Sequence, residues 1–138
     1  MSLPSNIARL RATHTTAFGL ALLWAPTCYI SWVYKGCRPF APFISDFDIM
    51  EPESTIFSIG ATLQGLALVA LLVQFQWHQH QRIQAWSLGT TWEKMNLLSI
   101  LPGLVATLSC VALGWAPWNT YMDLHRNLAY GIFGGGVV

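Results

Sequence analysis

Residues 40–57, FAPFISDFDIMEPESTIF, are the long acidic interruption between two apolar stretches of the chain. The segment contains four of the six acidic residues, namely Asp46, Asp48, Glu51 and Glu53. Ser54 and Thr55 are predicted to cap the free amide groups that open the next helix, where nearby carboxylates are also favourable. A long apolar run follows Thr55. The stretch therefore predicts a structured loop that leads the chain into a membrane.

The composition is that of an integral membrane protein. Of the 138 residues, 54% are hydrophobic and 9% are charged, whereas charged residues make up about a quarter of an ordinary soluble domain. The net charge of +1 includes no basic run, so no nucleic-acid partner is expected. The three cysteines, Cys28, Cys37 and Cys110, are too few and too scattered for a disulfide framework or a zinc site. No metal or cofactor is expected.

Three apolar segments are long enough to cross a membrane, since a transmembrane helix needs about 20 residues. They cover residues 15–34, 56–77 and 95–115. An acidic outer loop is predicted at 35–55 and a second, polar loop at 78–94. Pro26 is expected to kink or break the first span, and Pro102 to bend the third. The predicted fold class is an all-α, multi-pass transmembrane helical bundle that forms a single membrane domain over residues 1–138.

A partial fourth span is predicted at 124–138. Its fifteen residues rise only about 22 Å, less than the ~30 Å hydrocarbon core of a bilayer. A helix that ended there would leave carbonyl groups unsatisfied in lipid. We therefore expect the sequence to be the N-terminal part of a longer chain, the alternative being a partner that buries this end.

Small and weakly polar residues recur at helical spacing in the predicted spans. In the third span they form one stripe, which consists of Asn96, Ser99, Gly103 and Thr107. The stripe is expected to pack against Ala61 and Gly65 of the second span, because small residues let membrane helices approach closely. Gly131 and Gly135 give the fourth span a similar face. Such faces favour one candidate function, that of a structural subunit in a larger membrane assembly.

The positively charged residues predict an orientation. Four of them lie before the first span or in the second loop, namely Arg9, Arg11, Arg82 and Lys94. Three lie on the other side, namely Lys35, Arg38 and Arg126. Cytoplasmic segments carry an excess of Lys and Arg, so the N-terminus and the second loop are expected in the cytosol. The acidic loop is then expected outside the cell or in a lumen.

Four residues form a candidate polar cluster on the side of the acidic loop: Ser45, Asp46, Glu53 and His125. The loop is expected to fold over the end of the bundle, cover a headgroup-sized pocket, and bring Asp46 or Glu53 close to His125. The competing partners for these carboxylates are Lys35, Arg38 and Arg126. A carboxylate beside an imidazole serves acid–base chemistry or, with a further ligand, metal binding. In the structural alternative, Ser45 and Asp46 cap a turn, Glu53 supports the start of the second helix, and His125 hydrogen-bonds the loop. No catalytic residue and no metal ligand is assigned.

Part of this pattern resembles the signature of the Frag/DRAM/Sfk family, which includes the damage-regulated autophagy modulators and a Golgi factor that helps to remodel GPI anchors. The resemblance is carried by Phe-Ile-Ser-Asp at 43–46, Pro-Glu at 52–53, Ile-Phe at 56–57, Met-Asn-Leu-Leu-Ser at 95–99, and His125. Phe47-Asp48 stand where the family typically has Thr-Gly, and Glu51 replaces the first proline of a pair.

The resemblance implies about six membrane helices and a location in endolysosomal, Golgi or plasma membranes. It favours a non-enzymatic protein that modulates lipid handling or membrane traffic. The expected partners are membrane lipids and a membrane-protein partner or second copy. A lipid- or GPI-anchor-remodelling enzyme, or an accessory factor that uses the acidic loop, is the alternative alongside the structural subunit.

Overall fold

The computed structural model describes residues 3–37, 46–47 and 49–136, with side chains for 7–37, 46–47 and 49–134. Within these ranges the helices are α1 (Leu3–Tyr34), α2 (Glu53–Ala85), α3 (Thr90–Leu98), α4 (Ile100–Leu113) and α5 (Trp118–Gly136), and no strand occurs there. Three stretches are long and apolar enough to cross a membrane: Ile7–Tyr34, Glu53–Ala85 and Thr90–Leu113. The predicted all-α transmembrane fold is confirmed.

The first helix is longer than predicted and continues through Pro26 without interruption. Proline cannot donate a backbone hydrogen bond, so it removes one bond from the helical ladder. The hydroxyl of Thr27 adds a hydrogen bond at the same level, since it donates to the carbonyl oxygen of Leu23 at 2.6 Å. This bond does not replace the one that Pro26 removes, which would go to the carbonyl of Leu22, yet the helix continues and the expected break is not found.

The second helix extends beyond the predicted 56–77 at both ends. It begins at Glu53 with Pro52 as the N-cap residue and no side-chain cap, so Ser54 and Thr55 lie inside the helix and the predicted capping is wrong. Residues 78–85, predicted as loop, are helical because Gln, Arg and Ala favour helix and neither Gly nor Pro interrupts them. The turn comes at 86–89, which includes two positive φ angles.

The third predicted span is divided at Ser99 into α3 and α4. Pro102 lacks the N–H group that a regular helix would direct to the carbonyl of Leu98, and the interruption falls at that level. The Ser99 hydroxyl donates to the carbonyl of Asn96 at 2.8 Å, within α3. The effect expected of Pro102 is thus found one turn before the proline.

The last helix is interrupted at Tyr121, whose φ of −126° and ψ of 48° are not helical. Regular helix follows, close to the predicted start at Leu124. A Cβ atom on Gly131 would meet the side chain of Ser109, so α5 lies close against α4 there. Gly135 belongs to the helix, but its packing lies outside the described side chains.

The helices lie side by side in a row. α2 packs against α1 on one side and α4 on the other, α4 packs against α5, and the short α3 contacts both α2 and α4. Extensive contacts between α1 and α4 or α5 are not found in the described part of the chain. The row has two ends, which we call the acidic end (where α1 connects to α2) and the basic end (the N-terminus and the α2–α3 turn).

Candidate functional site

The acidic end is organised by the buried carboxylate of Glu53, which is 1% exposed. One of its oxygens accepts a hydrogen bond from the hydroxyl of Ser31, and the other pairs with the ammonium group of Lys35, each at 2.5 Å. Lys35 also donates to the carbonyl oxygen of Glu51. The thiol of Cys28 lies 3.8 Å from the carbonyl oxygen of Glu53. These contacts fasten the first turn of α2 to the last turns of α1.

An apolar cluster lies directly beneath this ion pair and fills the space between α1 and α4. Its buried members are Cys28, Phe47 and Phe57, surrounded by Trp24, Trp32, Ile56 and Leu113. Trp24 meets Phe57 edge to face with ring centroids 5.5 Å apart. Gly60 permits this arrangement, because a Cβ atom there would collide with the Trp24 ring. The start of α2 is therefore tightly packed against α1.

The predicted polar cluster is only partly described. His125 is 8% exposed, and its Nδ1 lies 2.6 Å from the carbonyl oxygen of Ala116, to which the protonated nitrogen donates. Asp46 lies in a short helical turn beside the buried Phe47, and Ser45 lies outside the described residues. The hypothesis of a carboxylate beside His125 stays a prediction. No group of three His, Cys, Asp or Glu that could hold a metal ion occurs within the described ranges.

A small pocket of about 250 Å³ opens at the acidic end between α2 and the α4–α5 connection. The hydroxyl of Thr55 donates to the carboxylate of Glu51 at 2.8 Å on its wall, and the hydroxyl of Ser58 donates to the carbonyl of Gly114. Trp115 forms the opposite wall. The predicted cover over this pocket involves loop residues that lie outside the described ranges.

The polar part of the predicted stripe contacts α2 near the basic end. The side-chain amide of Asn96 donates to the carbonyl oxygen of Gln76 at 3.3 Å, and the amide of Gln76 donates to the hydroxyl of Ser99 at 2.8 Å. One helical turn further, a Cβ atom on Gly103 would lie 2.8 Å from a methyl group of Leu72. α3 and the start of α4 thus follow the same face of α2.

The stripe continues toward the acidic end with closer helix contacts. A Cβ atom on Gly65 would collide with Val111 and would lie 3.3 Å from the carbonyl oxygen of Thr107. A Cβ atom on Gly114 would lie 2.8 Å from the Cβ of Ala61. Small residues on both helices therefore bring α2 and α4 together, as expected where membrane helices pack without bulky side chains between them.

The basic end, by contrast, contains an open groove between α1 and α4, with α2 as its floor. The groove measures about 680 Å³. Its floor consists of Leu68, Leu71, Leu72 and Phe75, spaced three and four residues apart along one face of α2. The wall formed by α1 includes Arg11 and His14. We call this feature the basic-end groove.

Comparison with known protein families identifies a family model that matches most of the chain. The family model described as the Frag1/DRAM/Sfk1/Cwh43P N-terminal domain matches residues 12–138. The chain belongs to this family. The resemblance predicted from the loop motif is thereby confirmed. No curated protein and no solved structure matches the chain.

Two features of this Frag1/DRAM/Sfk1 family member were missed by sequence reasoning. The first is the hydrogen bond from Ser31 to Glu53, since no local spacing connects α1 with the start of α2; Lys35 was among the competing partners expected for the acids. The second is the basic-end groove. A signal for it existed, because Arg11 and His14 are three residues apart and therefore share a face of α1. What the sequence did not indicate is that α4 leaves this face uncovered.

Proposed function

We propose that this Frag1/DRAM/Sfk1 family member is a non-enzymatic, multi-pass membrane protein that modulates lipid handling or membrane traffic by holding a membrane lipid in the basic-end groove. The groove is the single observation that carries the proposal. At about 680 Å³ it falls within the ~300–1,000 Å³ of typical ligand pockets, which are mostly apolar. Its floor of three leucines and a phenylalanine matches the chemistry of an acyl chain.

Shape supports this occupant more than hydrophobicity does. Lipid tails are as apolar as leucine, so within a bilayer the hydrophobic effect does not favour binding of an acyl chain to an apolar groove. An unfilled concave surface nevertheless loses dispersion contacts, each about 0.1–0.2 kcal/mol per atom pair. A flexible acyl chain restores them by following the floor from Phe75 to Leu68.

The contacts at the acidic end support binding rather than catalysis. Both oxygens of Glu53 accept hydrogen bonds from α1, and His125 is engaged with the carbonyl of Ala116. Groups held in this way stabilise the helix ends. The proposal accordingly assigns the function to the groove and a structural role to these residues.

Bulky side chains placed inside and outside the groove provide the test. Leu68→Trp fills the floor, whereas Leu66→Trp places the same side chain two residues away, at a position that is 58% exposed. Native mass spectrometry of the purified proteins should show fewer retained phospholipids for L68W and unchanged retention for L66W. Circular dichroism shows whether both are folded. Equal lipid retention by two folded variants would contradict the proposed function.

The proposal also includes an orientation, with the basic end in the cytosol. It is supported by the four Lys and Arg residues at that end, since cytoplasmic segments are enriched in them. A membrane-impermeant thiol reagent added outside sealed cells or vesicles should modify Cys37, at the acidic end. A cysteine introduced by Ser87→Cys in the α2–α3 turn should react only after permeabilisation. The reverse pattern would invert the orientation.

A further inference from the structure

We infer that the lipid held in the basic-end groove is an anionic phospholipid, with its headgroup at Arg11 and His14 and an acyl chain along the floor. The inference rests on the proposed function and adds the class of lipid. Three observations carry it: the polar groups on the groove wall, their depth in the membrane, and the distribution of charge between the two ends of the protein.

The polar groups on the groove wall are donors suited to phosphate. Arg11 carries a permanent positive charge and five N–H groups in a planar fork that matches phosphate oxygens. His14 supplies at least one ring N–H in either protonation state. Among the described residues that line the groove, none is a carboxylate. The wall therefore attracts a negatively charged headgroup and has nothing that repels one.

The depth of these groups matches a headgroup above an acyl chain. Thr13 and Gln74 exchange hydrogen bonds of 3.1 and 2.8 Å, which fixes the register of α1 against α2. From that level Arg11 lies about 3 Å toward the basic end and Trp77 about 4.5 Å in the same direction. Trp77 is 59% exposed, as expected for a tryptophan at the membrane interface. Arg11 is thus at headgroup level, while the floor extends toward the middle of the membrane.

The charge distribution favours the same lipid class. Among the described residues, the basic end carries four Lys or Arg residues and a single acid, Glu93, whereas the acidic end carries two Lys or Arg residues and four acids. Membrane leaflets rich in anionic lipid attract basic segments by about 1 kcal/mol per Lys or Arg. The end that contains the groove is the end that such a leaflet attracts.

A second depression at the basic end is a poorer candidate. It measures about 510 Å³, lies between α2 and α3, and includes His80 and Lys94. Its wall also includes Glu93, whose carboxylate accepts a hydrogen bond from Gln84. An acid on the wall repels a phosphate, so the groove beside Arg11 is the better match to an anionic headgroup.

The test compares two lipids at one site. The chain is reconstituted in nanodiscs with phosphatidylserine or phosphatidylcholine, each bearing the same photoreactive acyl chain, and adducts are mapped to peptides that contain Leu71 or Phe75. Groove labelling by phosphatidylserine should exceed that by phosphatidylcholine. Arg11→Gln should lower this preference about ten-fold or more, because it removes charge-assisted hydrogen bonds to the headgroup. Arg11→Lys should retain most of it.

Arg9→Gln is the matched control. Arg9 has the same charge and lies two residues away, but it does not line the groove. R9Q should lower the preference by no more than about five-fold, because only general attraction to the anionic surface is reduced. If R9Q and R11Q lower the preference for phosphatidylserine equally, the preference comes from attraction to the membrane surface alone, and the inference is overturned.

The remaining outcomes separate the inference from the function on which it rests. Groove labelling of equal strength with both lipids overturns the choice of an anionic lipid, while lipid binding in the groove stands. Photocrosslinkers placed at Leu71 that yield adducts with protein and none with lipid overturn both, because the groove is then a contact with another protein segment or a second copy.

Discussion

The two ends of the α1–α2–α4 layer share the same helices but are packed differently. At the acidic end α2 presents small residues at Gly60, Ala61 and Gly65, and its neighbours pack closely around an aromatic cluster. Toward the basic end the same helix presents leucines and Phe75, and α1 and α4 remain apart. A single long helix thus approaches its neighbours closely where its residues are small and lines a larger groove where they are bulky.

The two ends also differ in how polar groups are satisfied. The acidic end buries a complete ion pair, in which both carboxylate oxygens of Glu53 have partners. The groove wall at the basic end leaves Arg11 exposed. The acidic end thus pairs its buried charge within the protein, although the ring N–H groups of Trp24 and Trp118 there have no partner among the described residues, whereas the guanidinium group on the groove wall is exposed.

The largest expected effect comes from breaking the ion pair of the acidic end. Lys35→Met leaves the carboxylate of Glu53, 1% exposed, with only the hydroxyl of Ser31. The expected loss of unfolding free energy is on the order of 3 kcal/mol, at the low end for removing one partner of a buried pair because Lys35 is itself 29% exposed. Denaturant titration of the purified protein in micelles measures it.

The exposed pair between Arg126 and Asp123 provides the control for this prediction. Its atoms are 2.9 Å apart, but both side chains are more than half exposed. Arg126→Met should therefore cost no more than about 1 kcal/mol. If the two substitutions lower the unfolding free energy by similar amounts, then burial of Glu53 does not make its ion pair more important than the exposed one.

A smaller loss of unfolding free energy is expected from adding a methyl group to α2 where α4 approaches it. Gly65→Ala places a methyl group against the branched side chain of Val111, which cannot move away easily. The expected loss is about 1–3 kcal/mol in the same titration. Gly19→Ala on α1, where nothing lies within 4 Å, should instead raise stability by roughly 0.5–1 kcal/mol, because alanine is the better helix former. A neutral G65A would show that close approach is not what holds this region together.

The smallest effect is expected beside the groove. Gly103→Ala places a methyl group 2.8 Å from the end of the Leu72 side chain, which can rotate into the groove. The loss should stay below about 1 kcal/mol, since a flexible neighbour relieves most of the overlap. Lipid retention should fall as Leu72 narrows the floor. A loss larger than that of G65A would place the tightly packed region at the basic end instead.

The transmembrane helices could be predicted from the sequence because apolar length decides them, but their ends could not. Residues 78–85 look like a loop by polarity, yet they continue α2 because a long helix that leaves the membrane remains helical in water when good helix formers follow. The effect of Pro102 was predictable from its missing N–H group. The absence of a break at Pro26 was not, since the local sequence shows the missing N–H group but not the contacts of α1 with α2.

The candidate sites show a similar division. The importance of Glu53 was visible in the loop motif, but its partners Ser31 and Lys35 come from another helix and depend on the register between α1 and α2. The groove depends on how far α4 stands from α1, a tertiary distance that no local pattern encodes. The apolar spacing from Leu68 to Phe75 indicates a buried face equally well with or without a ligand.

The length of α2 has a consequence for membrane thickness. Its 33 residues rise about 50 Å, well beyond a ~30 Å hydrocarbon core. The mainly apolar residues 56–73 rise about 27 Å, close to the thickness of a thin bilayer. In a thicker bilayer the next polar residues, Gln74 and Gln76, would enter the hydrocarbon, but their amides already donate to hydroxyls of Thr13 and Ser99. The apolar length of α2 therefore suits a thin bilayer, because a thicker one would also bring Arg11 and the side-chain carbonyl oxygen of Gln76, unpaired among the described residues, into the hydrocarbon.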